Sequence, residues 1–155
     1  LDKRRYLPID IAHSGDTTLR HIPIHNECVF FATANLGSEY SGTTQIDRAL
    51  LDRFFPIELT YPNEAAETKI LQIRTGVDER TAKAIVKVSK TIREQFKAQE
   101  LSNVISVRHT LIAASLVKDG FDTVAALTKV ILPLFEEGDG SASERTKIKA
   151  IIAAR

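Results

Sequence analysis

Two kinds of hydrophobic spacing divide this chain. Up to about residue 61 the apolar residues come in short runs or alternate. Val29-Phe30-Phe31-Ala32-Thr33-Ala34 is an unbroken run of strand length, which predicts a strand buried on both faces. Phe55-Pro56-Ile57-Glu58-Leu59-Thr60 alternates and predicts a second core strand, ended by Tyr61-Pro62-Asn63. Ahead of these, Arg4 to Asp10 and Thr17 to Ile22 read as two strands joined through the turn residues Ser14-Gly15-Asp16, a β-hairpin before the core strand. Between the two core strands, Ile46, Leu50 and Leu51 recur at helical spacing with charges between them, which predicts a helix over Ile46 to Phe54.

From Asn63 onward the period becomes helical. Asn63 is a suitable N-cap with Glu64 in the first turn, and Gly76 is a stop. Asp78 opens a longer helix with Ile85, Val88, Ile92 and Phe96 on one side. Ser106 caps Val107 to Lys118, closed by Gly120. Val124, Leu127, Ile131 and Leu134 predict a helix from Asp122 to Glu137, broken at Gly138-Asp139-Gly140. Ser141-Ala142-Ser143-Glu144 reads as a capping box for a last helix. The fold class expected is therefore α/β followed by a helical part, with domains at 1–61 and 62–155.

Composition narrows the function classes. At 155 residues, 43% apolar and 26% charged, the chain is an ordinary globular one. Its net charge of +1 gives no argument for binding nucleic acid or an acidic surface by bulk electrostatics. Lys83, Lys87, Lys90 and Lys97 read as a solvated helix face, with nucleic acid as the other reading. The single Cys28 cannot form an internal disulfide and is expected to be a small core hydrophobe, in keeping with a reducing cytoplasmic compartment. His21 and His25 are separated by Pro23, and no acidic or thiol partner completes a set at ligand spacing, so no metal site is expected. The chain opens on Leu1 and contains no Met, so it reads as a segment of a longer protein.

Four residues are weighed between a functional account and an ordinary one. Asn35 ends the first core strand, and the carboxyl ends of strands in parallel α/β sheets are where ligands bind; from the strand alone, the start of a turn with Leu36-Gly37 is the stronger reading. Arg53 closes its helix, as a cation favoured by the dipole or as a guanidinium aimed at a phosphate. Arg48 has Asp52 one turn away as an ordinary ion-pair partner. Arg108 lies in the first turn of a helix, where the dipole disfavours a cation.

Ala32-Thr33-Ala34-Asn35 followed by Ala49-Leu50-Leu51-Asp52-Arg53-Phe54 resembles the sensor-1 strand and arginine-finger helix of AAA+ ATPases, in particular the MoxR-like group and the ATPase subunit of cobalt chelatase. The resemblance implies the carboxyl part of a P-loop-type parallel α/β core with a β-hairpin insert, then an α-helical lid. It assigns catalytic roles to Asn35 and to Arg53, with Arg48 the other candidate for the finger. Ser106-Val107-Arg108 resembles the start of the sensor-2 helix, which makes Arg108 a contact to nucleotide phosphates. The basic residues Arg4 and Arg5, beside the hairpin, become contacts to a substrate. ATP and Mg2+ are the implied cofactors, and the implied assembly is a homo-oligomeric ring acting on a protein or metal-insertion client. A DNA motor and a non-catalytic helical interaction module are the alternatives. The pattern G-x-x-x-x-G-K-[ST] occurs nowhere in the chain, nor does a strand ending in paired acids, so this chain alone is expected to be inactive.

Overall fold

The computed structural model describes residues 6–8, 21–34, 52–137 and 143–155. The chain divides into two units, Leu1–Glu58 and Leu59–Arg155.

In the first unit, β1 (Tyr6–Pro8) pairs antiparallel with β2 (His21–Pro23), with Leu7 opposite Ile22. The parallel α/β core expected from the apolar runs is not formed among the described residues. Residues 29–34 have no regular structure, and Phe31 is 93% exposed. Residues 55–58, and 59–60 at the start of the second unit, are likewise irregular, with Phe55, Ile57 and Leu59 exposed. The physical reason is that a strand cannot satisfy itself. Its hydrogen bonds and both its faces need neighbours from elsewhere in a sheet, and β1 and β2 are the strands present among the described residues. Cys28, expected in a core beside this run, is exposed with it. Most of the helix expected over Ile46 to Phe54 lies outside the described residues, and 52–54 form a turn and bend.

The second unit is helical: α1 (Glu64–Thr75), α2 (Glu79–Lys97), α3 (Val107–Lys118), α4 (Thr123–Ile131) and α5 (Glu144–Ala153). Side-chain caps start most of them. Asn63 accepts the Ala66 amide at 2.8 Å, Asp78 that of Thr81 at 3.0 Å, and Asp122 those of Val124 and Ala125. Ser143 caps α5 through Thr146; Ser141, expected to share in that cap, lies outside the described residues. The Glu144 carboxylate reaches instead to the backbone and hydroxyl of Ser102.

The helix ends follow backbone rules. Gly76 ends α1 at φ 73°, in the left-handed region open to glycine. After α3, the amides of Gly120 and Phe121 bond back to the carbonyls of Val117 and Leu116, a Schellman closure. α2 closes in the same way through Gln99, a non-glycine residue at φ 60°. α4 stops at Ile131, short of the expected Glu137, and runs into a 3-10 turn over Leu132–Leu134. Pro133 explains this: it has no amide proton to continue the ladder, and its ring crowds the preceding turn.

The core of this unit is built from the helical stripes. Leu71, Ile85, Val88, Ile92, Ile105, Leu127, Ile131, Phe135, Ile148 and Ile152 are buried together. The lysine face of α2 is solvated, and two of its four lysines are paired. Lys83 meets Glu79 and Lys90 meets Glu64, each at 2.6 Å.

Candidate functional site

Of the residues singled out in the sequence, Arg4, Arg5, Asn35 and Arg48 lie outside the described residues. Arg53 belongs to the first unit and is exposed. Arg108 belongs to the second, where it is the second residue of α3 and is exposed.

The start of α3 is built around Ser106. The Ser106 amide donates to Nδ1 of His109 at 3.0 Å, and the His109 amide bonds back to the Ser106 carbonyl at 3.0 Å. Accepting through Nδ1 requires the neutral tautomer with its proton on Nε2. Burial lowers the His109 pKa from its ordinary value, and the neighbouring Arg108 charge lowers it further. The imidazole therefore holds the turn in its uncharged form. Arg108 projects from that fixed turn, and its guanidinium makes no hydrogen bond or ion pair among the described residues. Held in this way, a planar guanidinium is suited to two-point contact with a phosphate.

Beneath α3 lies a buried polar cluster that the sequence pattern did not disclose. Arg93 of α2 grips Glu67 of α1 with two bonds, Nη1 to Oε2 at 2.6 Å and Nη2 to Oε1 at 3.1 Å. Its Nε donates to the Ile105 carbonyl at 3.0 Å. The Thr110 hydroxyl of α3 lies 2.9 Å from Glu67 Oε1 and 2.9 Å from the Val107 carbonyl, with one proton to share between them. The Tyr61 ring covers the guanidinium, 4.2 Å from its centroid. Tyr61, Glu64, Lys90 and Arg93 line an open cleft on the outer side of the pair. One signal for this cluster was present in the sequence. Glu67 stands four residues before Leu71, and Arg93 eight after Ile85, so opposite charges occupy the apolar stripes of consecutive helices.

Among the described residues no three His, Cys, Asp or Glu side chains come together as a metal-holding group. No helix there is long and apolar enough to cross a membrane.

The helical unit carries the family evidence. A family model described as CbbQ/NirQ/NorQ C-terminal matches residues 67–152, from the buried glutamate of α1 to the end of the core in α5. The chain belongs to the CbbQ/NirQ/NorQ family. Its relatives are MoxR-like AAA+ ATPases. The chain is 36% identical over 92 residues to "Putative chaperone BssE" of Thauera aromatica, an alignment covering 59% of this chain and 31% of that protein. It is 28% identical over 139 residues to protein CbbQ of Hydrogenophilus thermoluteolus, covering 89% of this chain and 49% of the relative. Protein NorQ of Paracoccus denitrificans (strain Pd 1222) is 27% identical over 140 residues, covering 89% and 48%. The chain thus spans between about a third and a half of the length of these curated relatives.

Proposed function

We propose that residues 62–155 are the lid, and residues 1–61 the carboxyl part of the α/β core, of a ring-forming AAA+ ATPase that remodels or activates a protein client. The observation that carries this reading is the family match over the helical unit, within which Arg108 stands exposed at the opening of α3. In this reading Arg108 is the lid's contact to the nucleotide phosphates, Asn35 orients the attacking water, and Arg53 is the finger offered to a neighbouring subunit, with Arg48 the other candidate. Arg4 and Arg5 face the substrate. ATP, bound with Mg2+, supplies the anionic phosphoryl group whose developing charge these cations stabilise.

The residues present fit part of that task. Arg108 fits a phosphate, because it is a cation held on a capped turn and open to a ligand. The cradle of backbone amides and lysine that grips phosphates in a P-loop is not encoded in this chain. The chaperone named for the BssE relative supports a protein client over DNA. So does the lysine face of α2, where Lys83 and Lys90 are engaged by carboxylates.

The test is the ATPase rate of the full-length protein with and without duplex DNA, in wild type and Arg108→Lys. Lysine keeps the charge and loses the two-point geometry. The expected results are a rate indifferent to DNA and a clear loss of turnover in Arg108→Lys. Stimulation by DNA would move the reading to a DNA motor. Equal rates in the two proteins would remove Arg108 from the site.

A further inference from the structure

Two contacts converge on the opening of α3. Arg93 Nε holds the carbonyl of Ile105, the residue before the Ser106 cap, and Glu67 Oε1 meets the Thr110 hydroxyl one turn later. At about 100° per residue, positions 108 and 110 point about 200° apart. Holding Thr110 against the buried carboxylate therefore turns Arg108 outward, where it is exposed. The Ile105 carbonyl fixes the height of the helix, and Thr110 fixes its rotation.

We infer that the Glu67–Arg93 pair is a positioning device for Arg108, setting the register of α3 so that the guanidinium meets the phosphates in a fixed direction. The inference rests on the reading of Arg108 as a phosphate contact. A buried ion pair is a poor way to gain stability, because desolvating both ions offsets their attraction and apolar side chains of similar volume often do as well. Apolar side chains cannot reproduce a directional grip on one carbonyl and one hydroxyl. Both ions here are buried, Glu67 at 1% and Arg93 at 7% exposure, and the donors and acceptors they use lead to three separate elements. The Tyr61 ring stacks over one face of the guanidinium.

The experiment uses the full-length ATPase with Glu67→Leu and Arg93→Met together, an apolar replacement, and Arg93→Lys as a second variant should the first not fold. Both are made with and without Arg108→Ala. Amide hydrogen exchange across Val107 to Leu111 is read alongside kcat and KM for ATP. Misplacing a catalytic group by about 1 Å costs about 100-fold in rate. The expected results are faster exchange in the first turn of α3 and a fall in kcat of about 10- to 100-fold. In the Arg108→Ala background the same replacement should lower kcat no further. An equal fall in that background would overturn the inference, since the pair would then act without Arg108. Unchanged exchange at the opening of α3 would also overturn it. If Arg108→Ala alone leaves turnover intact, the phosphate reading of Arg108 fails, and the exchange arm still decides whether the pair sets the helix.

Discussion

Val29-Phe30-Phe31 and Ile85-Val86 are both apolar runs, yet they have opposite fates. Phe31 is 93% exposed, whereas Ile85 is at 0% and Val86 at 2%. The difference lies in what each secondary structure requires. A helix closes its hydrogen bonds within a few residues and needs one apolar stripe against a neighbour. α2 finds those neighbours in α1, α3 and α5, all within the same hundred residues. A strand buried on both faces needs adjacent strands for its backbone and layers above and below for its side chains. The first unit provides β1 and β2 among its described residues, and these pair with each other. The helical unit thus carries its own partners. The apolar run has no such partners among the described residues, where it is irregular and exposed.

The largest effect would come from supplying those partners. If the first unit joins an ATPase core in the full-length protein, Arg53→Ala should abolish turnover while leaving nucleotide affinity nearly unchanged. A finger acts on transition-state charge and is worth about 10³–10⁵ in rate. Turnover measured beside equilibrium binding of a fluorescent ATP analogue checks this. Equal losses in both would mean that Arg53 supports the fold of its unit and not the chemistry.

Next in size is a direct contrast between the two units. Ile92→Ala empties a fully buried site and should cost about 2–5 kcal/mol. Phe31→Ala removes a larger side chain from a solvated position and should change stability by no more than about 0.5 kcal/mol. Urea unfolding of the 155-residue chain, followed by helical circular dichroism, measures both. A cost for Phe31→Ala similar to that of Ile92→Ala would place the run in a core and erase the contrast.

What the sequence disclosed follows the same division. Local rules were legible: Asn63, Asp78 and Ser106 stand at helix starts, and Gly76 and Gly120 at helix ends. The early end of α4 was also local, and Pro133 marks it; the stripe through Leu134 obscured it because that residue still packs against the core. The Glu67–Arg93 pair left one trace, opposite charges on the apolar stripes of α1 and α2, but periodicity alone does not pair them. A charge on a helix is read as solvated until a partner 26 residues away is known. Of the proposed nucleotide contacts, Arg108 is placed by a cap that the sequence shows plainly, whereas Asn35 depends on a strand that the described residues do not form.

A smaller effect probes how local the helical unit's stability is. The Asn63 side chain satisfies one amide at the start of α1, and Asn63→Ala should cost about 1 kcal/mol. Asn63→Asp should retain most of that, because aspartate caps equally well. If both variants are equally destabilised by urea titration, the side chain serves something other than the cap.

The smallest expected effect is a pH dependence confined to one turn. His109 is the single histidine of the helical unit. Its native pKa is lowered by burial and then by Arg108, and its neutral Nδ1 accepts the Ser106 amide. Around the ordinary imidazole pKa the unfolded chain therefore binds more protons than the folded one. Stability rises with pH wherever that is so. The unit should lose stability as pH falls through about 6.5, and the loss should level off once pH passes below the lowered native value. Protonation also removes the acceptor at Nδ1, so the opening of α3 should loosen first. His109→Gln supplies an uncharged acceptor at the same helix position and should flatten the dependence between pH 7.5 and 5.5. Thermal melts of both proteins across that range, with amide exchange at Ser106, measure it. A slope unchanged in His109→Gln would assign the titration to other groups and leave the Ser106 turn insensitive to pH.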